Sequence, residues 1–70
     1  MVNTAAIKAR CKAMKITQED IAQVLGIKRC TVSQKINNQR PMTVTEAVKL
    51  QWMLDIQPED FGFFFFGGEA

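Results

Sequence analysis

The sequence predicts an all-α domain of five short helices, and three observations carry that expectation. Two Ser/Thr-x-x-acid signatures, Thr17 to Asp20 and Thr43 to Glu46, read as capping boxes that open helices. Apolar residues recur at helical spacing, as in Ile7, Cys11 and Met14 or Ala47, Leu50 and Leu54. Helix-ending residues, Gly26, Asn38 and Pro41, punctuate these runs. With 70 residues the chain makes one domain, near the size at which only ~60% of the unfolded surface is buried.

Taken in order, Asn3 caps a first helix from about Thr4 to Lys15, with Ile7, Cys11 and Met14 inward and Lys8, Lys12 and Lys15 outward. Cys11 reads as a small core residue. Thr17 opens the second helix, Ile16 and Ile21 are placed as a hydrophobic staple, and Ile21, Ala22 and Leu25 form its apolar stripe up to Gly26. The third helix starts near Lys28 and is anchored by Val32 and Ile36. After the turn Asn37 to Pro41, Thr43 opens a fourth helix whose core stripe is Ala47, Leu50 and Leu54, with Val48 alongside. Trp52 is either a core plug or part of a protein contact. Ile56 continues the core, and Pro58, followed by Glu59 and Asp60, starts a short fifth helix that packs Phe61 inward.

The outer face of the third helix carries the function. Cys30, Ser33, Gln34 and Asn37 lie at i, i+3, i+4 and i+7, opposite Val32 and Ile36, with Lys28 and Arg29 at the leading tip. Such a stripe suits a ~12 Å major groove, offering donors and acceptors to base edges. Charge agrees. Eight basic residues before Pro41 oppose only Glu19 and Asp20, a net of +6. From Pro41 onward Lys49 opposes five acids, a net of −4. Between Ile21 and Thr45 there is no carboxylate to repel a phosphate backbone.

The run ITQEDIAQVLGIKRCTVSQKINNQRPMTVTEAVKL resembles the helix-turn-helix of phage repressors, Cro proteins and xenobiotic-response-element (XRE) type bacterial regulators. The motifs that carry it are T-Q-E-D-I-A, L-G-I, T-V-S, N-N-Q-R-P and T-x-x-E-A-V-K-L, over roughly Ile7 to Phe61. The resemblance implies a five-helix lambda-repressor-like domain, helix-turn-helix at helices 2 and 3, binding a palindromic operator as a small repressor or Cro-like dimer of prophage type. It places Lys28, Arg29, Cys30, Ser33 and Gln34 on bases. It places Gln18, Thr31, Asn37, Asn38, Gln39 and Arg40 on phosphates. Arg29 suits bidentate reading of a guanine. Lys28 stands where many relatives carry a capping serine. Asn38 replaces a usual glycine but tolerates the left-handed conformation.

The chain then divides into a DNA-binding domain, residues 1–61, and an aromatic tail, residues 62–70. In the tail, Phe63, Phe64, Phe65 and Phe66 cannot all face one core. With Trp52 they are expected to form a homodimer contact, since contiguous apolar exposure marks interfaces. The rival reading is a protein-interaction module, an antitoxin or antirepressor, using that tail.

Other classes find little support. No histidine, paired carboxylates or Ser-Lys arrangement supports catalysis, and no phosphate-loop motif follows the glycines. The two cysteines make neither a disulfide framework nor a zinc site. Cys30, beside Lys28 and Arg29, is a redox switch or simply a small groove-facing side chain. No apolar run reaches the ~20 residues of a membrane span, and no secretory signal precedes the first helix. A cytoplasmic protein is expected, with no cofactor, metal or small-molecule substrate.

Overall fold

The computed structural model describes residues 1–67. It holds α1 (Thr4–Met14), α2 (Gln18–Leu25), α3 (Arg29–Ile36), α4 (Val44–Met53) and α5 (Phe61–Phe65), the last entered through a 3-10 turn at Pro58–Asp60. The described residues contain no strand, so the all-α, lambda-repressor-like expectation holds.

Local chemistry sets most boundaries. The Asn3 carboxamide oxygen accepts from the Ala6 N–H at 3.2 Å and starts α1. Thr17 and Asp20 close the first capping box at 3.1 and 2.9 Å, and Thr43 and Glu46 close the second at 3.1 and 2.9 Å. Gly26 ends α2 at φ 71°, a left-handed value that an L side chain resists. Lys28 precedes α3 with no side-chain cap, as its type predicts.

All five helices contribute to one core. Ile7, Ile21, Val32, Ile36, Leu50 and Leu54 are essentially sealed from solvent, joined by Val2, Ala22, Ala47, Ile56 and Phe65. Burying each large aliphatic side chain contributes ~1.5–3 kcal/mol, which a domain of this size needs.

Three expectations are corrected. Met14 is exposed, because it is the last residue of α1 and the chain then reverses through left-handed Lys15 (φ 57°). Cys11 is only half-buried, enough to push its thiol pKa upward by desolvation. Trp52 is 79% exposed and no core plug. It lies two residues beyond Leu50, ~200° around the helix from the buried stripe.

The largest revision concerns the aromatic tail. Residues 62–65 continue α5, Phe65 is buried, and Phe64 packs partly against the core. The Phe64 carbonyl accepts from the Asn3 N–H at 2.8 Å, and the Phe61 and Phe65 rings sit 4.7 Å apart. The domain therefore runs past the expected boundary at residue 61. Only Phe63 and Phe66 of the four are exposed, so Phe64 and Phe65 serve the fold instead of an outer contact. The end of the expected tail, Gly68 to Ala70, lies outside the described residues.

Candidate nucleic-acid interface

α3 is a helix with two chemistries. Val32 and Ile36 are each 1% exposed and fix it against the core. Arg29 and Cys30 stand in solvent, and Ser33 and Gln34 are half-exposed one turn further on. Gln18, at the first position of α2, joins these four around one shallow depression. The close packing of α2 on α3, turned at Gly26, brings them together. Lys28 is exposed at the α3 N-cap, outside the depression, and Thr31 is half-buried.

In the loop after α3, main-chain bonds hold Gln39 and Arg40 and leave their side chains free. Gln39 and Arg40 both donate N–H groups to the Gln34 carbonyl, at 2.7 and 3.3 Å, and their side chains are exposed. The Asn37 amide donates to the Ser33 carbonyl at 2.9 Å and reaches Ser33 Oγ at 3.3 Å.

Asn38 behaves differently from the phosphate ligand expected. At φ 62° its side chain accepts from the Val2 N–H and donates to the Val2 carbonyl, both at 2.9 Å. Both amide atoms are committed to clasping the N-terminal segment. Thr4 strengthens the clasp by donating its hydroxyl to the Ile36 carbonyl at 2.7 Å, satisfying one of the carbonyls that α3 leaves open at its end.

Two cations likewise hold structure. Lys35 Nζ lies 2.6 and 2.8 Å from the Glu46 carboxylate oxygens, tying α3 to α4 with both side chains largely covered. Burial raises the Glu46 pKa, but hydrogen bonds from Lys35 and the Thr43 N–H outweigh it and hold the carboxyl below its ordinary range. Arg10 Nε donates to the Leu54 carbonyl at 2.7 Å and Nη2 to the Asp55 carbonyl at 3.1 Å, capping α4. Sequence reasoning missed Thr4, Arg10 and the Lys35–Glu46 tie. Their partners lie 32, 44–45 and 11 residues away, and no local pattern announces such pairings.

Two short helices joined at a glycine, with the second offering an acid-free polar and cationic face, define a DNA-binding helix-turn-helix. A family model described as Helix-turn-helix matches residues 7–61. The chain belongs to that family and is a DNA-binding transcription regulator of it, a family generally without enzymatic activity. No curated protein and no solved structure matches the chain. Among the described residues, no helix is long and apolar enough to cross a membrane.

Proposed function

We propose that the protein is a small repressor or Cro-like regulator of phage or prophage type, acting in the cytoplasm as a homodimer on a palindromic operator. α3 enters the major groove, and Lys28, Arg29, Cys30, Ser33 and Gln34 read bases. Gln18, Thr31, Asn37, Gln39 and Arg40 hold phosphates, which fix register without reading sequence. Two copies set their reading helices about one DNA turn apart, ~34 Å. Occupancy of the operator by the dimer is the regulatory act.

The observation that carries this reading is the depression bounded by Gln18, Arg29, Cys30, Ser33 and Gln34, in which no carboxylate takes part. The dimer is supported by exposed aromatics at Trp52, Phe63 and Phe66. Those same aromatics would serve the rival role, a protein-interaction module.

Selection from a random duplex library at two salt concentrations tests the proposal. A two-fold symmetric site is expected, with affinity falling as salt rises. Arg29→Ala is expected to lose ~1–3 kcal/mol of discrimination at one base position per half-site. Weak binding without preference, indifferent to Arg29→Ala, would move the function to protein interaction.

A further inference from the structure

α4 has two apolar faces, and only one is used. Ala47, Leu50 and Leu54 face the core, whereas Val44, Val48 and Trp52, at i, i+4 and i+8, are 68%, 37% and 79% exposed. This outer ridge lies away from the reading helix, because Glu46, which holds Lys35 of α3, sits ~200° around α4 from Val44. At its Val44 end the ridge borders a groove of about 400 Å³, floored by Val2, Met42, Ala47 and Phe65 with Phe66 at its side. At its other end stands Trp52, beside Asp55.

We infer that a second copy of the chain packs antiparallel on this outer face of α4, with Val48 at the two-fold axis and Trp52 of each copy against Val44 of the other, at the mouth of the groove. The inference rests on the homodimer reading above and names its seam. A two-fold contact must be self-complementary, residue i meeting j and j meeting i. Val44 and Trp52 stand ~6 Å either side of Val48 along the helix, so reversing one copy brings each onto the other.

Charge favours the same pairing. The groove end is lined by Arg40 and no carboxylate, while the Trp52 end carries Asp55, with Glu59 and Asp60 following along the chain. Antiparallel packing sets basic end against acidic end twice. The area is adequate too. Aromatic side chains bury ~150–250 Å² each when fully covered, so Trp52 and Phe66 of both copies, 79% and 65% exposed, supply about a third of the ~1,600 Å² in a standard interface, to which Val44, Val48 and the groove lining add. The seam leaves Arg29, Cys30, Ser33 and Gln34 uncovered for DNA.

The test uses the full chain and its own reporter, since Trp52 is its single tryptophan and there is no tyrosine. Sedimentation and tryptophan emission are followed together across a dilution series. Expected is a blue shift that tracks dimer formation. Val44→Glu is expected to abolish the shift and weaken the dimer at least ~100-fold, because it sets like charges at two places in the seam. Circular dichroism checks that this variant keeps its helices; an acid at the first turn of α4 suits that helix. Val24→Ser is expected to leave the dimer intact, since Val24, exposed on α2, lines neither the groove nor the Trp52 end. A dimer whose Trp52 emission stays unshifted, or one that survives Val44→Glu, would overturn the α4 seam and leave the homodimer standing. A monomer at every concentration would remove both.

Discussion

α3 and α4 make an instructive pair, because the helix proposed to read DNA is built less securely than the helix behind it. α4 opens with a complete capping box, whereas α3 opens at Lys28 with no side-chain cap. The outward surface of α3 is polar and cationic, leaving Val32 and Ile36 as its only buried anchors. Its position is therefore supplied from outside, by Glu46 on Lys35, Thr4 on the Ile36 carbonyl, and the Asn38 clasp on Val2. A reading helix keeps a free face by borrowing its stability from neighbours.

The strongest way to break this arrangement is at Glu46, which serves both helices at once. Glu46→Ala removes half of the α4 capping box and the whole tether to α3, and is expected to cost ~2 kcal/mol of stability in urea unfolding. Glu46→Gln keeps a capping acceptor and loses the ion pair, so about half that cost is expected. The wild-type carboxyl has its pKa held below the ordinary carboxylate range. The folded state thus binds that proton less readily than the unfolded chain. Its contribution is full above the ordinary carboxylate range and is lost as pH falls through the depressed folded value. Stability against pH below about 4.5 should decline less steeply in both variants than in the wild type. Equal slopes would mean that the tether adds nothing to folding.

Asn38 tests the clasp. Asn38→Ala loses two hydrogen bonds to Val2 and keeps a β-carbon at φ 62° with nothing to offset it, an expected loss of ~1–2 kcal/mol by thermal unfolding. Because the clasp supports the end of α3, operator affinity should also fall, although the side chain itself is withheld from phosphate. An unchanged affinity would show that α3 holds its place without the N-terminal segment.

Much of this was legible in the chain, for reasons that differ by residue. The capping boxes, the Gly26 turn and the two faces of α3 are local, set within a few residues of one another, and spacing alone gives them. The Asn38 backbone was legible and its side chain was not: asparagine signals a left-handed turn, but nothing near it points to Val2, 36 residues away. The four phenylalanines misled in part. Spacing shows that some must be exposed, yet which ones depends on where α5 meets α1, and the Asn3 bond to the Phe64 carbonyl decides that. Trp52 was ambiguous because size favours a core and position does not.

The end of α4 offers the finest comparison with the end of α3. Both helices are followed by a non-glycine residue in the left-handed region, Asn38 at φ 62° and Asp55 at φ 52°. Asn38 offsets its strain through Val2, but among the described residues the Asp55 carboxylate makes no hydrogen bond; its main-chain N–H donates to the Trp52 carbonyl and its carbonyl accepts from Arg10. Glycine adopts this conformation freely and retains that carbonyl. Asp55→Gly is therefore expected to raise stability by ~0.5–1 kcal/mol, the relieved strain exceeding the added freedom of the unfolded chain. Asn38→Gly should bring no gain, since it exchanges strain for a lost clasp. The two variants share a backbone geometry, so a calorimetric difference between them isolates what the Val2 contact contributes. Equal shifts would reduce the clasp to an ornament of the turn.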